Sequence, residues 1–128
     1  MKLDTAPSLS FCQRHRAISL LFANDPDLFD FLFEPEHHHL NCMPSSLVRD
    51  ARHLPREKRV LAILALCIWT ERGVWPVHEA YLFLSDFRYE ALQLVFDFLG
   101  SVKPSPCRCH ICRGASVYGE ERELLQRF

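Results

Sequence analysis

Residues 59–69 read RVLAILALCIW. After Arg59 every residue is apolar, with no polar stripe at helical spacing. The run is about half the roughly 18 apolar residues that a membrane span needs. A helix that is apolar all round is surrounded by other helices. The stretch therefore predicts the central helix of an all-α bundle, and the flanking sequence has to supply the helices around it.

Working outward, Pro55 ends one helix and starts the central one. The upstream helix carries Leu47, Val48, Ala51 and Leu54, with Ser45 or Ser46 as its cap. Gly73 suits the C-cap of the central helix. Pro76 then opens PVHEAYLFL, with Val77, Ala80, Tyr81 and Leu84 at helical spacing. Ser85 or Asp86 caps the longer FRYEALQLVFDFL, which Gly100 closes. At the other end, a helix over about residues 10–23 places Phe11, Ile18, Leu21 and Phe22 on one side. Asp25-Pro26 reads as a capping carboxylate followed by proline at the first helical position. The segment it opens, DLFDFLFE, also alternates polar and apolar, so a strand competes with a short helix. PEHHHLNCMP, bounded by two prolines, is a loop. SVKPSPCRCHICRGASVYG has no periodicity, and EERELLQRF is a last short helix. The expectation is one domain over 1–128, a bundle of six or seven helices, with 101–118 as an irregular candidate metal-binding loop.

Composition narrows the function classes. Of 128 residues, 48% are hydrophobic and 24% charged, the profile of a globular chain. The 10 Phe supply a large core without disulfides. A net charge of -1 and a pI of about 6.6 argue against gripping nucleic acid or an anionic membrane through net charge. The N-terminus MKLDTAPSLSFC lacks an apolar leader. An intracellular, cytoplasmic setting is therefore expected, where the six cysteines stay reduced or bind metal.

The chemistry-bearing motif is CRCHICRG, residues 107–114. Cys109 and Cys112 have the C-x2-C spacing that turns two thiolates toward one ion, the usual half-site of structural zinc. His39 and Cys42, spaced H-x2-C, offer a second half. The expected site is His39, Cys42, Cys109 and Cys112, with Cys107 as an alternate ligand and His110 as a bystander. Thiolate and imidazole together suit zinc, while an iron–sulfur cluster prefers all-cysteine ligation. Without metal, these are three thiols on a basic loop. Cys67 reads as a small buried hydrophobe, and Cys12, beside Phe11, receives no role.

Several activities lack their motifs. CHIC in a loop of a helical chain does not match thioredoxin-like redox chemistry. No phosphate-cradling loop can be drawn from 4 Gly. A metal-dependent hydrolase with a His/Cys site and an open position for water is one alternative, but H-x-E and H-E-x-x-H are missing. A nucleic-acid-binding regulator is another. Residues 70–102 outline a helix-turn-helix, and a basic patch of Arg52, Arg56, Arg59, Lys103, Arg108 and Arg113 forms if the thiol loop folds near the third and fourth helices. Arg88 and Gln93 would then face nucleic acid, against the unfavourable Asp86, Glu90 and Asp97. The leading expectation is a small, non-enzymatic interaction or regulatory protein, stabilised by zinc and recognising another protein.

Overall fold

The computed structural model describes residues 9–35, 39–109 and 111–112. Among these residues six helices follow one another: α1 (Phe11–Leu21), α2 (Asp27–Leu32), α3 (Pro44–Ala51), α4 (Arg56–Thr70), α5 (Val77–Phe83) and α6 (Asp86–Ser101). The chain is all-α. The expected helix over 120–128 and the residues Glu36, His37, His38, His110 and Arg113 lie outside the described residues.

The apolar run does what its composition requires. From Val60 to Thr70 every residue of α4 except Ile63 is buried, and α1, α2, α3 and α5 all pack on it. α6 joins the bundle through α1. Trp69 sits at the aromatic end of this core, with ring centroids 5.0 Å from Phe11 and 4.9 Å from Phe33. Large-to-small changes here remove both transfer energy and packing, so Leu64→Ala should cost about 2–5 kcal/mol.

Helix ends depart from the sequence reading where side chains have stronger competing partners. DLFDFL is helical, and only Phe33 extends, to bridge Leu40. The helix starts at Asp27, not at Pro26, and no side chain caps it. The Asp25 carboxylate, expected as that cap, is taken by Arg88, which donates to its two oxygens at 3.0 and 2.8 Å. Arg88 also reaches Glu57 at 2.9 Å. A buried carboxylate is tolerable only with such a paired cation, and the trio ties the α1–α2 turn to the starts of α4 and α6. α3 begins at Pro44, ahead of both serines, because proline has no N–H to leave unsatisfied at a first helical position.

At the end of α4 the left-handed cap is Glu71 (φ 55°), and Gly73 (φ 86°) follows two residues later. The conformation costs a non-glycine residue about 1–2 kcal/mol. Glu71 is held there because its carboxylate accepts from the Leu9 amide at 3.2 Å and from Arg14 at 3.0 Å. α5 is too short to bury a full stripe. Ala80 and Leu84 face the core, whereas Val77 and Tyr81 are exposed. Gly100 lies within α6, not after it. Among the described residues no helix is long and apolar enough to cross a membrane.

Candidate metal centre

The start of α1 is built to receive the C-terminal segment. Ser10 caps the helix, and Gln13 completes a reciprocal capping box with the Ser10 amide. The Gln13 side chain also reaches outward. Its Nε2 donates to the Lys103 carbonyl at 2.7 Å, and its Oε1 accepts from the Ser105 amide at 3.3 Å. One side chain thus fixes both the helix start and the incoming strand of chain. Ile111 packs against the core from the far end of that segment.

Between these two anchors, four thiols converge. The Sγ atoms of Cys12, Cys107, Cys109 and Cys112 all lie within 4.8 Å of one another. Around a tetrahedral ion with bonds of 2.3 Å, sulfurs stand about 3.8 Å apart. Closing the group around an ion requires sulfur shifts on the order of 1 Å or less by the same geometry. The four cysteines can hold a metal ion.

Backbone amides point at the sulfurs. The Cys12 amide, in the first turn of α1, donates to Cys112 Sγ at 3.3 Å, and the Cys109 amide donates to Cys107 Sγ at 3.4 Å. Ser10 Oγ lies 3.2 Å from Cys12 Sγ. The Cys109 thiol is pulled down to about 7, first by the Cys112 amide and then by the Cys107 side chain. Cys112 moves the other way, to about 12, chiefly because burial penalises its thiolate. Nearby positive charge favours the anionic form of the centre: the positive end of the α1 dipole faces it, and Arg14 stands close enough to feel Cys112. Arg14 is itself buried against the Phe11 ring and held by the carbonyls of Leu9 and Trp69 and by Glu71.

Of the residues singled out in the sequence, the structure brings Cys107, Cys109 and Cys112 together, with Cys107 inside the group. His39 and Cys42 are not in it. The Phe33–Leu40 bridge turns their loop back on α2. His39 there lies 3.8 Å from Glu34 and meets the Leu40 carbonyl at 3.1 Å, while Cys42 packs on the core. The fourth thiol comes instead from Cys12, whose partner lies 100 residues away. A capped helix start carrying a cysteine was the only local signal.

The basic residues are divided. Arg56 and Arg59 belong to the first turn of α4, and Arg52 lies just before it. The thiol segment docks near the other end, where Arg14 holds Trp69 and Glu71, roughly 20 Å away along the 15-residue helix. Lys103 and Arg108 are exposed on that segment. In the 70–102 outline, Arg88 is consumed by Asp25 and Glu57, and Asp86, Glu90 and Asp97 are exposed.

The chain is thus an all-α protein in which four cysteines from its two ends meet at the start of the first helix. Comparison with protein-family models, with curated proteins and with solved structures finds no match to it.

Proposed function

We propose that this chain is a small, non-catalytic protein that acts by recognising another protein, with a zinc ion held by Cys12, Cys107, Cys109 and Cys112. The observation that carries the metal is the convergence of four sulfurs from opposite ends of the chain within 4.8 Å. Thiolates select soft or borderline ions. Sulfurs this close bracket one ion, whereas an iron–sulfur cluster, with several metal atoms inside its cage, needs its ligands further apart.

Four protein ligands complete a tetrahedral zinc and leave no position for water, which is the mark of a structural site. That favours the recognition reading over a metal-dependent hydrolase. The ion would fasten residues 102–109 and 111–112 to α1 and so present a composite surface made from both. Next to the sulfurs, an open cleft of about 440 Å³ runs between Leu9, Phe11, Pro104 and Pro106. Such a cleft can receive apolar side chains of a partner, and its shape depends on the centre being closed.

Metal analysis of the purified chain tests the first half: about one zinc per chain and no iron are expected. Affinity capture with the zinc-loaded chain, repeated after chelation, tests the second. A partner retained equally by both forms would sink the link between metal and recognition.

A further inference from the structure

At the other end of α4, the junction of α5 and α6 carries a feature the metal does not explain. Tyr81 is 70% exposed, although helical spacing put it with Ala80 and Leu84. Its ring stands 6.3 Å from that of half-buried Tyr89, centroid to centroid, and the two planes are inclined by 75°. Both rings line one open pocket of about 350 Å³ with Leu84, Asp86 and Glu90. Asp86 and Glu90 lie four residues apart on α6, one helical turn, and both are exposed. Neither has an ion-pair partner among the described residues. The nearby cations are committed elsewhere: Lys58 to Asp27, Arg88 to Asp25 and Glu57, and Arg56 to the Phe83 ring.

Two aromatic rings near a right angle that line one pocket with two carboxylates, neither ion-paired among the described residues, are the parts of a cation-binding corner. A cation resting against either ring lies inside the ~6 Å over which ring quadrupoles attract positive charge. We propose that this corner binds a methylated or quaternary ammonium group. A bare ammonium is compact and strongly hydrated, so it gains little by exchanging water for a ring face. Methyl groups weaken that hydration and add apolar contact, while the charge still meets Asp86 and Glu90. The ammonium has two sources, a trimethyllysine on a protein and a small choline-like molecule. The first rests on the protein-recognition reading, and the second does not.

The test is a titration of the full zinc-loaded chain, followed by tyrosine NMR signals, with four probes. These are tetramethylammonium, choline, a trimethyllysine peptide and the same peptide unmodified. The methylated peptide should bind at least about fivefold more tightly than the unmodified one. Tyr81→Ala, on an exposed side chain, should weaken binding about tenfold, whereas Tyr81→Phe should retain it. Glu90→Gln should weaken it and flatten its salt dependence. Choline binding without peptide binding supports the corner and overturns the peptide as its source. Equal binding of both peptides, no effect of Tyr81→Ala, or no binding of any probe at millimolar concentration overturns the site. Metal content and partner capture are read separately, so failure here leaves the zinc-pinned recognition reading standing or falling on its own assays.

Discussion

Replacing Cys12 by serine is the sharpest perturbation of the proposed centre. It changes one atom on the first turn of α1, where Ser10 and Gln13 hold the helix start independently. What it removes is a cross-link. With metal bound, Cys12 is joined to Cys112 across 100 residues of chain, and constraining a loop of that length is worth about 4–5 kcal/mol in the chain-entropy picture of cross-links. For a chain of this size each kcal/mol moves the melting temperature by roughly 3–5 °C, so a loss of about 12–25 °C is expected. The assay is thermal unfolding of wild type and Cys12→Ser, each zinc-loaded and each after chelation, with metal measured alongside. The variant should lose zinc, and the difference in melting should largely vanish once both proteins are stripped. Cys42→Ser, at a thiol outside the group, should keep about one zinc per chain. If Cys12→Ser retains full zinc, or Cys42→Ser loses it, the four-cysteine assignment is wrong.

Other perturbations separate the supports of this arrangement. Gln13→Ala deletes the hydrogen bonds to Lys103 and Ser105. It should lower stability by about 1–2 kcal/mol and raise amide exchange at residue 105, and unchanged exchange there would count against the clamp. Asp25→Asn leaves Arg88 half-buried with only Glu57, and a loss of about 3–5 kcal/mol by denaturant titration is expected. A double Asp25→Leu, Arg88→Met variant should recover much of that loss. The pH dependence has a definite sign. Hydrogen bonds from the Ser85 amide hold Glu57 below its ordinary 4.5, and those from Lys58 hold Asp27 below its ordinary 3.8. Carboxyls depressed in the folded state add stability above their unfolded values and lose it as pH falls through their folded ones. Unfolding by acid should therefore begin below about pH 4.5, and Glu57→Gln should flatten the slope there.

What the sequence made legible follows the range over which each interaction acts. The α4 run announces its own burial because ten consecutive apolar residues leave a helix no side for water. The pairing of Cys109 with Cys112 is equally local, since three residues of chain bring both sulfurs to one point. Beyond helix ends displaced by a residue or two, the departures are long-range. Cys12 carries no sign of partners 95 to 100 residues away, so H-x2-C at His39 and Cys42 looked the better match by spacing alone. Asp25 has the local signature of a cap, and only the fold shows Arg88 claiming it first. Glu71 takes a conformation that Gly73 suits better intrinsically, because Leu9 and Arg14 compensate for it. Tyr81 lies at core spacing on a helix too short to bury its whole stripe.

The placement of Cys12 also sets an order in time. A ribosome adding about 5–20 residues per second delivers Cys112 some 5–20 s after Cys12. By then α1 to α6 have all been made, and the helical core can close without the metal. Closure of the proposed sulfur group therefore follows synthesis of the six helices, and metal occupancy would report that Cys107, Cys109 and Cys112 have all been made. A product truncated before Cys107 would keep all six helices and lack three of the four sulfurs.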